Sequence, residues 1–267
     1  MINLDPAVFE LPYEPHIDIR DTVNYKEVMK QYQLGPNGAI LTSLNLFTTK
    51  FDQVLDLLAA RSEPKEPTEV TDGEEKKTPT HVIVDTPGQI EIFTWSASGA
   101  IITEALAAQY PTVLLYLVDT PRCRQPATFM SNMLYACSIL FKTQLPMLLV
   151  FNKTDLDPAD FCLEWMQDVL LFQEALAEDP SYMASMVQSM SLMLDEFYRQ
   201  LRVAAVSSLT GEGMDQFFEK LQEAVDEYDT EYRPMFERRL AERLAKEKDS
   251  TDEQVATFVR DISLNDK

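Results

Sequence analysis

Four short apolar runs, His81–Val84, Val113–Val118, Met147–Phe151 and Val203–Val206, alternate with longer stretches of helical periodicity. Strands joined by crossover helices build a mostly parallel sheet with helices on its faces, so the pattern predicts an α/β fold. Each run ends in polar residues: Asp85-Thr86-Pro87-Gly88, Asp119-Thr120-Pro121, Asn152-Lys153-Thr154-Asp155 and Ser207-Ser208. Ligands of open α/β sheets sit beyond the carboxyl ends of the strands. Four polar clusters in that place predict one composite site.

Composition narrows what that site can serve. Hydrophobic residues make up 45% of the 267, enough to bury a sizeable core, which excludes global disorder. The formal net charge is -21. Such a surface repels phosphate backbones and argues against nucleic acid or anionic membrane as a direct partner. A buried anion would need local donors or a metal. Three widely spaced cysteines, Cys123, Cys137 and Cys162, argue against a disulfide framework and a zinc site and favour a reducing compartment. The chain shows no basic-plus-apolar leader, and no apolar run approaches the ~20 residues of a spanning helix. A soluble protein is expected.

Residues Arg61–Thr80 are rich in Pro, Glu, Lys and Thr and read as an exposed insertion. The main domain is expected over residues 1–230 and a charged helical tail over 231–267. Within that stretch Pro234 is read as an interruption before a solvated helix at Arg238–Lys248. Met183, Met186, Met190 and Met193 recur at helical spacing, either as a core-facing stripe or as a groove for an apolar peptide. The apolar island Phe258–Leu264 is either a docking motif or a frayed helix end.

The polar clusters differ in what they can do. An aspartate at position 155 can accept from guanine's ring N–H and its exocyclic amine together. Adenine offers no matching donor pair, and an unmatched polar group in a desolvated site discriminates strongly. The Lys153 stem can lie along the base, and Asn152 can tie neighbouring loops. In Asp85-Thr86-Pro87-Gly88-Gln89, Asp85 can hold Mg²⁺ through water, and Gly88 lets a backbone N–H approach a γ-phosphate. Gln89 and Glu91 can orient an attacking water. The same Pro-Gly also suits a plain strand exit. Ser207 and Ser208 begin a loop able to offer backbone N–H to the guanine carbonyl, or to cap the following helix. Asp5 and the Asp18-Ile19-Arg20-Asp21 string lie in loop-like sequence, where carboxylates either reach a metal or form turns.

With these residues in view, the chain resembles the GPN-loop GTPases, most closely their first eukaryotic paralogue. The carrying strings are Gly35-Pro36-Asn37, Ile2-Asn3-Leu4-Asp5-Pro6-Ala7, Ile17-Asp18-Ile19-Arg20-Asp21, Asp85-Thr86-Pro87-Gly88-Gln89-Ile90-Glu91, Thr94–Gly99 and Phe129–Ala136. The resemblance implies a P-loop NTPase-like G domain that hydrolyses GTP to GDP with Mg²⁺. It implies homodimers, or heterodimers with a paralogue, in which the Gly35-Pro36-Asn37 loop of one subunit reaches the other's active site. Asn37 would contact the terminal phosphate, Asp85 would hold the metal, and Asp5, Gln89 and Glu91 would position water. Gly88, Asn152, Lys153, Asp155, Ser207 and Ser208 would bind the nucleotide. The eukaryotic branch further implies a role in RNA polymerase II assembly and nuclear import, with RNA polymerase II subunits as clients and a cytoplasmic protein that shuttles to the nucleus.

One departure stands out. The family opens with an apolar strand and a Gly-rich loop ending in Gly-Lys-Thr-Thr, and these 267 residues contain no G-x-x-x-x-G-K-[ST]. Such a loop supplies a backbone N–H nest, a neutralising lysine and a hydroxyl for Mg²⁺. The expectation is an N-terminally truncated chain impaired in phosphate binding. The alternative is a pseudo-GTPase that only dimerises with a complete paralogue. The strand in question would lie between those read at His81–Val84 and Val113–Val118. Without it these stand ~10 Å apart, twice the normal spacing, unless they re-pair.

Overall fold

The computed structural model describes residues 1–62, 79–177, 197–198 and 201–243. The methionine series, the Phe258–Leu264 island and most of the Arg61–Thr80 insertion lie outside them. The chain divides into two compact units, Met1–Gln109 and Tyr110–Lys267.

The first unit holds a parallel sheet of three two-residue strands, β1 (Ile2–Asn3), β2 (Ile17–Asp18) and β3 (Val84–Asp85), in the order β2-β1-β3. The register pairs Asn3 with both Asp18 and Asp85. The sequence around Asp18 reads as loop, yet β2 forms there. Two-residue strands are too short to show alternation, and long-range pairing creates them. β3 begins later than predicted, although Ile2 N–H donates to the Ile83 carbonyl at 2.8 Å.

Among the described residues, six helices accompany this sheet: α1 (Ile19–Thr22), α2 (Tyr25–Tyr32), α3 (Pro36–Thr48), α4 (Phe51–Ser62), α5 (Ile90–Thr94) and α6 (Ala97–Gln109). Asn24 caps α2 by accepting from the Lys26 and Glu27 N–H groups. Gly35-Pro36-Asn37 forms the start of α3: Gly35 is the extended N-cap and Pro36 occupies the first turn, where a missing N–H costs nothing. Ala39, Ile40, Leu44 and Phe47 of α3 and Phe51, Val54 and Leu58 of α4 are buried.

The second unit holds the longer parallel sheet β4 (Leu114–Asp119), β5 (Met147–Asn152) and β6 (Arg202–Val206), ordered β4-β5-β6. All three lie within one residue of their predicted positions. Central β5 is buried along Met147–Phe151, as a strand with neighbours on both edges must be. Among the described residues of this unit are helices α7 (Pro126–Thr143), α8 (Asp160–Gln167), α9 (Val169–Ala177) and α10 (Met214–Glu227). From α10, Met214, Phe217 and Leu221 pack against Leu148, Val150, Ala204 and Val206 of the sheet, the i, i+3, i+7 stripe of a covering helix.

The strands read at His81–Val84 and Val113–Val118 do not re-pair: β3 and β4 each end a separate sheet. Pro234 is not the predicted interruption either. A π-helical turn, Tyr228–Tyr232, joins α10 to further helix over 233–243. The wider turn lies where a proline leaves a carbonyl without its N–H partner. Tyr228 and Tyr232 stack at 5.3 Å and are buried, which anchors the segment. Cys123, Cys137 and Cys162 are free thiols. No helix among the described residues is long and apolar enough to cross a membrane.

Candidate functional site

In the second unit the loops after β4, β5 and β6 are cross-linked. Asn152 closes β5, and its Oδ1 accepts from Lys153 N–H at 2.8 Å, Ser208 N–H at 3.1 Å and the Ser208 hydroxyl at 3.0 Å. Lys153 then turns the backbone into the left-handed region, with φ of 71°. Thr154 N–H returns to the Val206 carbonyl at 3.2 Å. The Ser207 hydroxyl donates to Asp155 Oδ1 at 2.6 Å and accepts from Thr210 N–H at 3.1 Å. Asp155 Oδ2 accepts no hydrogen bond among the described residues, and Asp155 is exposed. In the loop read as a source of N–H groups for a guanine carbonyl, the Ser208 N–H is taken by Asn152. Leu209 N–H is the neighbouring donor left without a partner among the described residues, and its side chain is 85% exposed.

Lys153 Nζ donates to Asp119 Oδ2 at 2.7 Å, and Arg122 Nε lies 3.6 Å from the same oxygen. The hydrogen bond from Lys153 holds the Asp119 carboxyl below the usual carboxylate range. Beside them Arg124 grips Asp157 with two hydrogen bonds, at 2.7 and 2.5 Å. Its guanidinium lies 4.3 Å from the centre of the Phe161 ring. That clamp fixes the loop between β5 and α8.

In the first unit a second polar cluster forms at the carboxyl end of the short sheet. Buried Asn3 donates to the Asp5 carbonyl at 3.1 Å and to Asp18 Oδ1 at 3.0 Å, and its Oδ1 accepts Asp5 N–H at 3.0 Å. Arg20 meets both Asp18 oxygens and also donates to the Val8 and Phe9 carbonyls, which ties down the intervening loop. Burial alone would raise the Asp18 carboxyl. The hydrogen bonds from Arg20 and Asn3 together hold it below the usual range. Asp5 Oδ1 accepts Ala7 N–H at 2.9 Å, the turn-forming role, while Oδ2 accepts Gly88 N–H at 3.2 Å across to the loop after β3.

Asp85 Oδ2 accepts the Tyr13 hydroxyl at 2.5 Å. Burial, then the Asp85 carboxylate, pushes that phenol up to about 12. Gln89 caps α5 and Glu91 lies in its first turn, both exposed. Asn37 and Glu91 line one hollow of about 340 Å³, together with Leu41, Ile92 and Trp95. Of the residues singled out in the sequence, the structure brings Asp5 to the Gly88 backbone, on the loop that begins at Asp85. Sequence reasoning missed Asn3, whose only signal was its place in the string that also holds Asp5, and Tyr13, which lies in none of the strings singled out.

No group of three or more His, Cys, Asp or Glu side chains among the described residues could hold a metal. A magnesium ion needs no such cage, because it keeps several waters and takes phosphate oxygens with one or two carboxylates. Asp85 fits that limited demand: one oxygen is fixed by Tyr13 and the other is unclaimed among the described residues.

Parallel strands, covering helices and polar loops at their carboxyl ends define an α/β protein whose ligand site lies beyond its strands. A family model described as "conserved hypothetical ATP binding protein" matches residues 1–227. The chain is 52% identical over 277 residues to GPN-loop GTPase 1 of Saccharomyces cerevisiae, covering 100% of this chain and 68% of that protein. It is 55% identical over 243 residues to GPN-loop GTPase QQT2 of Arabidopsis thaliana, covering 91% of this chain and 60% of the relative. A crystal structure of a GTPase in apo form from Pyrococcus abyssi superposes with a TM-score of 0.65 at 28% identity, over 86% of this chain and 85% of that one. The chain belongs to the GPN-loop GTPase family. It thus spans 68% and 60% of the length of the two curated relatives described.

Proposed function

We propose that the chain binds guanine nucleotides and that its residues serve hydrolysis of GTP to GDP and phosphate. The observation that carries this is Asp155: Ser207 pins one carboxylate oxygen and the other stands open, on a loop that Asn152 braces. A fixed, exposed carboxylate accepts guanine's N1–H and amine and finds no such pair on adenine. Leu209 N–H faces the guanine carbonyl, and Lys153 lies along the ring.

On the first unit, Asp85 would hold the metal. Bound Mg²⁺ supplies charge stabilisation at the phosphate oxygens. Tyr13 keeps Asp85 oriented. Asp5 steadies the Gly88 loop, whose N–H approaches the γ-phosphate, and with Gln89 and Glu91 it positions the attacking water. Because these 267 residues contain no Gly-Lys-Ser/Thr loop, the phosphates are held weakly, with affinity poorer than micromolar. The same fact favours a second reading, a non-enzymatic partner that dimerises with a complete paralogue. Asn37 at the head of α3 contacts the terminal phosphate in the neighbouring subunit. A net charge of -21 suits a chaperone-like role on basic clients, in line with RNA polymerase II assembly and import by a shuttling cytoplasmic protein.

Nucleotide titrations, by calorimetry at millimolar ligand, test the reading. Guanine nucleotides bind at least ~100-fold better than adenine nucleotides, and Asp155→Ala removes about the same factor, the worth of two hydrogen bonds to a charged group. Equal binding of GTP and ATP by the wild-type chain would sink it. Repeating the titration and a phosphate-release assay with a full-length paralogue added separates enzyme from non-enzymatic partner.

A further inference from the structure

Asp119 closes β4 directly beside Asn152 in the register of the longer sheet. It bears the oxygen that receives Lys153 Nζ at 2.7 Å. Lys153 is held at both ends: Asn152 Oδ1 takes its backbone N–H at 2.8 Å and Asp119 takes its ammonium. The four-carbon stem runs between these anchors on the loop that carries Asp155. The pair is a poor device for stability, since the side chains are 49% and 29% exposed and exposed ion pairs contribute little. Holding a lysine in one rotamer also costs conformational entropy. Ordering a binding side chain before the ligand arrives removes that loss from the binding step.

We infer that Asp119 is a positioning residue for base recognition, which acts by anchoring Lys153 so that its stem forms a preformed wall of the guanine site. This rests on the guanine reading of Asp155. Arg122, 3.6 Å from the same oxygen, adds positive charge beside the anchor and keeps the carboxylate ionised. The effect lies on the base side, so it is the same for every guanine nucleotide whatever its phosphate count.

The test compares guanosine 5′-monophosphate and GTP on four chains: wild type, Asp119→Asn, Lys153→Met and the double variant. Asp119→Asn weakens both ligands by the same factor, about 5–20-fold, a hydrogen bond to a charged group being at stake. In the Lys153→Met background the Asp119 change has no further effect, because nothing remains to anchor. Asp119→Glu, which keeps the charge, restores part of the affinity, and melting temperatures and circular dichroism match wild type. Unchanged affinity in Asp119→Asn, a loss that persists in the Lys153→Met background, or a loss confined to GTP overturns the inference alone. A wild-type chain with no preference for guanine over adenine overturns the reading on which it rests as well.

Discussion

At residue scale the first unit depends on a buried carboxylate. Asp18 is 6% exposed; its carboxylate joins Asn3 and the Arg20 guanidinium and caps α1 by accepting Arg20 N–H. Replacing it with Asn leaves Arg20 without its charge partner and should destabilise the chain by about 1–3 kcal/mol at pH 7. Its carboxyl is held below the ordinary range in the fold, so the stabilisation is present above the unfolded value near 4 and is lost as pH falls through the folded value. Urea unfolding of wild type and Asp18→Asn should therefore diverge at pH 7 and converge toward pH 3. Nothing in the sequence disclosed this role. Asp18 reads locally as a turn former, and its partner Asn3 lies fifteen residues upstream. Asp155 was legible because its chemistry is local and its position follows an unmistakable strand.

At the scale of elements, legibility tracked length and burial. β4, β5 and β6 stood out because a buried central strand imposes an unbroken apolar run on the chain. β1 and β2, at two residues each, leave no periodic trace. The helix through Pro234 was hidden because its continuation depends on a π turn and on stacked Tyr228 and Tyr232, neither of which is a propensity. Gly213 shows how tightly the loop after β6 is set. Its φ is 77°, and a Cβ there would lie 2.1 Å from the Ala205 carbonyl oxygen. Gly213→Ala should cost about 3 kcal/mol or more, from left-handed strain plus displaced backbone. That predicts a melting temperature lower by about 6–12 °C in a domain of this size. Guanine affinity should weaken in the same variant, because Ser207 N–H is bonded to the Glu212 carbonyl next door.

At the scale of the whole molecule, charge dominates. A net charge of -21 makes the chain repel itself, and the repulsion is screened as the Debye length shrinks from ~30 Å at 0.01 M salt to ~8 Å at 0.15 M. Thermal melts should shift upward by a few degrees over that range, whereas an unchanged or falling midpoint would assign stability chiefly to exposed ion pairs. Each compact unit braces its own cluster of polar residues from the strings singled out in the sequence. Sequence pattern pointed to Asp5, Asp85 and Asn152 but not to Asn3 or Tyr13, nor to the hydrogen bonds that join segments far apart along the chain. The row Asp119, Asn152, Val206 carries a constraint of its own. These residues share one register line across three parallel strands, and successive residues of a strand face opposite ways. Losing a single residue inside β5 would swing Asn152 to the opposite face and unlock every loop it braces. Evolution is therefore free to lengthen the connections of this unit but not to recount its strands.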